Sequence, residues 1–249
     1  DLSYDYCLIT TKSYDTETAI RELGRLSHQD FIAVSMQNGC GNFEKLIKRF
    51  GSDRSLAARV ITGFKIDHPG KVTITVTADA IHIGGCIEGE VPETAQQLAT
   101  AINEAGLPAE STPFIRQDLF AKLLYNSALN PLGAALGVHY GALGDDPDTR
   151  MIMSTVIREV FMVIEASGGR TPWKSAEEYE SFFYGQQIPA TYNRSSMLQD
   201  LEMGKPTEID ALTGYVSELG RRHNVSTPVC DTLTGLIRFL ERSRVKKRE

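Results

Sequence analysis

The chain is short of the residues that build covalent or metal-bound frameworks. Its 249 residues include 4 cysteines, 5 histidines and 1 tryptophan. Cys7, Cys40, Cys86 and Cys230 stand far apart with no C-x-x-C pair, which excludes the disulfide scaffold of a small secreted domain. They read as buried, reduced thiols of a cytoplasmic protein. His28, His68, His82, His139 and His223 are scattered as well, so no metal is expected. No apolar run approaches the ~18 residues of a membrane span, and no secretory signal is read at the start. Positive charge is scarce too: 26 Lys and Arg against 32 Asp and Glu leave a net charge of −6 and a pI near 5.5. That balance excludes a general nucleic-acid surface. The one basic run, Arg242 to Arg248, reads as a solvated helix end. A dinucleotide fingerprint is also missing, because Gly39-x-Gly41 is followed by Glu44 where the third glycine belongs.

What is present is an ordinary globular composition, 41% apolar and 23% charged, arranged in two patterns. The first alternates. Strands are expected at Tyr6–Thr10, Phe31–Met36, Ala57–Thr62, Val72–Thr77 and Ile81–Ile83, with helices at Asp15–Leu26, Asn42–Arg49 and Pro92–Ala105. Such alternation implies a parallel sheet with right-handed crossovers. The second pattern is helical only. One helix is expected from Pro113 to Asn130, ended or kinked by Pro131. Asp146-Pro147 starts another, carrying Met151, Val156, Val160, Phe161 and Ile164 inward and stopping at Gly168-Gly169. Thr207-Glu208-Ile209-Asp210 looks like a capping box, and Thr227-Pro228 opens the last helix. The fold class is therefore α/β followed by all-α. A partial Rossmann-type parallel sheet domain is expected over 1–110 and a helical domain over 111–249.

Lys122, Asn126 and Asn130 repeat at intervals of four among Leu123, Leu124, Ala128 and Leu129. On a helix they form one polar ladder roughly 12 Å long. An amine and two amides on an apolar helix need partners. A substrate with carbonyl, carboxylate and hydroxyl oxygens would supply them, and the amine would serve as a general acid. A solvated lysine on a polar face is the ordinary alternative. Asn38 follows an apolar strand, at the end of a sheet where ligands bind, although Asn-Gly is also a common turn. Lys12, just past the first strand, is a phosphate or ribose partner or else a loop lysine. Ser195 and Ser196 lie in a polar stretch from Tyr192, and helix capping alone would account for Glu208.

Four segments occur together: Leu8-Ile9-Thr10-Thr11-Lys12, Met36-Gln37-Asn38-Gly39-Cys40-Gly41, Lys122-x3-Asn126-x3-Asn130-Pro131-Leu132, and Ser195-Ser196-Met197-Leu198-Gln199-Asp200 followed by Thr207-Glu208-Ile209-Asp210. In order and spacing they resemble the ketopantoate reductase (2-dehydropantoate 2-reductase) family along essentially the whole chain. The resemblance implies hydride transfer from NADPH to the carbonyl carbon of a 2-oxo acid, the reduction that serves pantothenate biosynthesis. It implies Lys122 as proton donor to the developing alkoxide. Asn126, Asn130 and Ser196 would hold substrate oxygens, with Lys12 and Glu208 on the cofactor and Asn38 near both ligands.

Two departures qualify the resemblance. The family's cofactor domain opens with a strand and a Gly-rich phosphate loop. These are not found here, an expected gap on the order of fifty to sixty residues. Tyr140, in Val138-His139-Tyr140-Gly141, stands where the family usually offers an Asn to substrate, so the 2-oxo acid need not be ketopantoate. Two other readings remain at this stage. One is a non-catalytic remnant serving dimerisation or small-ligand binding, and the other a related 3-hydroxyacid dehydrogenase. The expected partner is a small-molecule 2-oxo acid, with neither nucleic acid nor membrane. The apolar helices of the second half offer a face for a homodimer.

Overall fold

The computed structural model describes residues 3–26, 30–188 and 193–245. His28, Tyr192 and the end of the basic run lie outside them. Two units result, Asp1–Leu119 and Phe120–Glu249.

The first unit alternates as its apolar runs require. In chain order it holds β1 (Tyr6–Ile9), α1 (Thr16–Leu23), β2 (Ile32–Ser35), α2 (Asn42–Phe50), β3 (Ser55–Arg59), β4 (Thr62–His68), β5 (Lys71–Thr77), β6 (Ile81–Gly84), α3 (Glu93–Glu104) and β7 (Ala109–Ser111). The main sheet has the order β1-β2-β3-β6-β7. Successive side chains point to opposite faces. Val34, Leu56, Ile81 and Ile83 accordingly meet Leu98 and Ala99 of α3, while Ile9 and Ala33 meet Ile20 of α1 and Leu46 and Phe50 of α2. Helices thus cover both faces, the Rossmann-type arrangement.

The sheet is mixed rather than parallel throughout. β1, β2 and β3 are parallel, as are β6 and β7, but β3 and β6 are antiparallel. The cause is the connection. A parallel neighbour needs a crossover of a dozen or more residues, usually a helix. Between β3 and β6 the chain instead forms the β4–β5 hairpin, a separate two-stranded sheet. The run expected as one strand over 57–62 therefore divides, β3 ending at Arg59 and β4 opening at Thr62. Phe64, Ile66, Val72, Ile74 and Val76 of the hairpin are all exposed. β7 escapes the sequence because Ala109-Glu110-Ser111 has no apolar pattern; His82 of β6 reaches Glu110 at 2.7 Å and Asp118 at 2.9 Å.

α4 (Ile115–Leu136) crosses the division between the units and continues through Pro131 instead of ending there. Proline removes one backbone N–H. Here Leu129, Leu132 and Ala134 are buried on either side of it, and that packing offsets the loss. Gly137, at φ 72°, follows the helix end. The second unit continues with α5 (Tyr140–Asp145), α6 (Pro147–Ala166), α7 (Ala176–Phe182), α8 (Ser196–Glu202), α9 (Thr213–Arg222) and α10 (Pro228–Val245). Asp146 caps α6 by accepting from the N–H groups of Asp148 and Thr149. Val156, Val160, Phe161 and Ile164 of α6 are buried as expected, but Met151, in its exposed first turns, is not. The capping box at Thr207 does not start an α-helix. Thr207 Oγ1 accepts from Ile209 N, a short 3-10 turn follows over Ile209–Ala211, and α9 begins at Thr213. Of the thiols only Cys230 is buried; Cys7, Cys40 and Cys86 are partly exposed, and none of the four forms a disulfide. Among the described residues no helix is long and apolar enough to cross a membrane.

Candidate active site

Parallel pairing puts the carboxyl ends of β1 and β2 side by side. The loops that leave them, Thr10–Lys12 and Met36–Gly41, carry Lys12 and Asn38. Gly39 and Gly41 have φ of 78° and 92°, a left-handed region that any side chain would resist. That backbone lets the loop turn tightly into α2. Asn42 then ties the turn down, its Nδ2 donating to the Asn38 carbonyl at 3.0 Å.

A residue not singled out from sequence joins the two loops. Gln37 is buried, and its Nε2 lies 3.0 Å from the Thr11 carbonyl, 3.2 Å from that of Lys12 and 2.9 Å from Thr16 Oγ1. Thr16 donates in turn to Asn42 Oδ1 at 2.9 Å or the Ser13 carbonyl at 2.7 Å. An amide has two N–H groups, so Gln37 shares them among the three acceptors and fixes the backbone on both sides of Lys12. The signal available beforehand was a polar glutamine between an apolar strand and an Asn-Gly turn.

In the second unit α4 carries Lys122, Asn126 and Asn130 on successive turns. Asn126 and Asn130 are 8% and 6% exposed, and Lys122 is half-buried. Two amides kept this far from water need defined partners. Asn130 has one, because the Tyr140 hydroxyl donates to its Oδ1 at 2.6 Å. Burial, reinforced by neighbouring Tyr125, raises the Tyr140 hydroxyl above its ordinary range, so it stays a donor. Tyr125, on α4 between Lys122 and Asn126, is also raised by burial, to about 12. Its ring meets Tyr140 edge-on at 5.9 Å and Phe183 at 6.2 Å.

The two serines are not both in a loop. Ser195 is the buried N-cap of α8, accepting from Leu198 N at 3.0 Å, which makes Ser196 the exposed first residue of that helix. Glu208 stands at the N-cap position of the 3-10 turn but makes no side-chain capping bond there, and it is 7% exposed. Its burial distinguishes it from its solvated neighbour Asp210. The structure therefore brings Lys12 and Asn38 to adjacent loops of the first unit. It sets Lys122, Asn126 and Asn130 on one helix of the second, with Ser196 and Glu208 on other elements of that unit.

An α/β unit with polar loops at the carboxyl ends of parallel strands, and a helical unit with an amine above two buried amides, form the plan of a two-domain dehydrogenase. Sequence comparison narrows the class. Residues 1–86 match the family model described as "Ketopantoate reductase PanE/ApbA" and residues 114–241 match "Ketopantoate reductase PanE/ApbA C terminal". The 2-dehydropantoate 2-reductase of Aquifex aeolicus (strain VF5) is 40% identical over 243 residues, 97% of this chain and 78% of the relative. The chain belongs to the ketopantoate reductase family of oxidoreductases. A crystal structure of a PanE/ApbA family ketopantoate reductase from Ralstonia eutropha JMP134 superposes with a TM-score of 0.84 at 28% identity, covering 96% of this chain and 76% of that one. The fold is also that of a D-mandelate dehydrogenase solved with NADH and anilino(oxo)acetate. There the TM-score is 0.85 at 23% identity, over 97% of this chain and 77% of the other.

Proposed function

We propose that this protein reduces a 2-oxo acid of the 2-dehydropantoate kind to its 2-hydroxy acid, with NADPH as reductant, in the cytoplasm. The observation that carries the reading is the ladder of Lys122, Asn126 and Asn130 on α4, with both amides buried. When bound, NADPH supplies the hydride. The chain's own groups do the rest. Lys122 gives a proton to the oxygen on which negative charge develops. Asn126, Asn130 and Ser196 hold the substrate's oxygens and fix the carbonyl carbon in place. Lys12, Asn38 and Glu208 bind the cofactor, with Asn38 also close to the substrate. The donor set fits such a ligand: a lysine beside a turn whose glycines let backbone approach a ligand closely, and a buried carboxylate able to accept from hydroxyls. Four cysteines without a disulfide agree with a reducing compartment.

The test is turnover on a panel of 2-oxo acids with NADPH and with NADH, read as loss of reduced-nicotinamide absorbance. The expected result is a preference for NADPH and highest kcat/KM with 2-dehydropantoate or a close analogue. No turnover with any 2-oxo acid would refute the reading. We also infer a homodimer using the helical unit, supported by Leu236 and Phe239 of α10, which are 47% and 60% exposed.

A further inference from the structure

Tyr140 connects two parts of the candidate substrate site. Its hydroxyl meets Asn130 Oδ1 at 2.6 Å, and its backbone N–H donates to the Asn193 carbonyl at 3.1 Å. Asn193 lies two residues before the cap of α8, and Ser196 is the first residue of that helix. The ring is 7% exposed and is held edge-on by Tyr125.

The hydrogen bond has a direction. A separation of 2.6 Å suits O–H···O, whereas N–H···O prefers about 2.9–3.0 Å. The atom facing Tyr140 is thus the amide oxygen, and the amide nitrogen faces away. An asparagine so held leaves its two N–H donors for a ligand, while its oxygen already accepts from Tyr140. An unconstrained amide could turn over and present its oxygen instead.

We propose that Tyr140 is a positioning residue that sets substrate specificity. By engaging Asn130 Oδ1 it commits the Asn130 side chain to donating, and so selects a ligand with an oxygen acceptor at that point, such as a carboxylate, carbonyl or hydroxyl oxygen. The inference rests on the reductase reading of the α4 ladder.

Tyr140→Phe tests it, because the ring and its packing remain while the hydroxyl goes. In the whole enzyme with NADPH, KM for the 2-oxo acid should rise about five- to tenfold, the usual worth of one hydrogen bond. Both kcat and KM for NADPH should stay within about twofold, a split that general loosening would not produce. In an Asn130→Ala background, adding Tyr140→Phe should change KM by less than about twofold, since the two act as one unit. The Asn130 side-chain amide resonances give a reading that needs no turnover, and they should move in Tyr140→Phe. An unmoved amide overturns the proposal, as does an unchanged KM in an active enzyme or an undiminished effect in the Asn130→Ala background. If the wild type reduces no 2-oxo acid, the functional reading fails, and the amide resonances alone then decide whether Tyr140 holds Asn130.

Discussion

Lys122 is the residue on which the proposed chemistry turns. It stands half-buried one turn before a buried amide, where an ammonium can meet a developing alkoxide without free competition from water. Lys122→Ala should lower kcat about 10²–10⁴-fold, the size of a general-acid contribution. Lys122→Arg should not restore it, because guanidinium does not give up its proton. Steady-state kinetics on both variants checks this, and a loss under about threefold in the alanine variant removes the role. The ladder was legible beforehand because a spacing of four converts directly into one helical face. The bond from Tyr140 to Asn130 was not, since it spans ten positions and depends on the chain reversing after Gly137. Gln37 was missed because its work is tertiary, joining two loops about 25 residues apart. Ser195 looked like loop because a capping serine has extended backbone until the helix after it is recognised.

At the scale of elements, local signals were reliable where the backbone itself is marked. Asp146-Pro147 and Thr227-Pro228 start helices α6 and α10, and Gly106 and Gly168 follow the ends of α3 and α6. Partner-dependent features were not legible. Pro131 reads as a helix terminus, yet buried neighbours carry α4 past it. The antiparallel β3–β6 pair follows from a hairpin whose apolar residues alternate without facing a core. The aromatic group on α4, α5 and the turn after α7 gives the second unit a pH dependence. Burial pushes the Tyr125 hydroxyl up from an ordinary 10.0 to about 12 in the folded state. The folded state then holds a proton that the unfolded chain releases, so this stability is complete below pH 10 and is lost as pH rises toward 12. Urea unfolding on either side of that window should show a fall that Tyr125→Phe reduces by about 2 kcal/mol. An identical fall in the variant would move the effect elsewhere.

For the molecule as a whole, fold class and family were legible in the sequence because motif order survives over the full chain. Association was not, because an exposed apolar side chain looks the same in a sequence as a buried one. Leu236 and Phe239 lie three apart on one face of α10. Sedimentation equilibrium should find a dimer, and Phe239→Glu should weaken it at least about tenfold. A monomeric wild type would dispose of that face. The thiols add a property unrelated to catalysis. Cys230 is fully enclosed at the start of α10, where burial and then the charge of Glu159 suppress its thiolate, while Cys7, Cys40 and Cys86 of the first unit reach solvent in part. An alkylating reagent therefore meets two kinetic populations. Three thiols react from the native state, and the fourth waits for the helical unit to open, so its labelling rate is an internal clock for how often that unit comes apart.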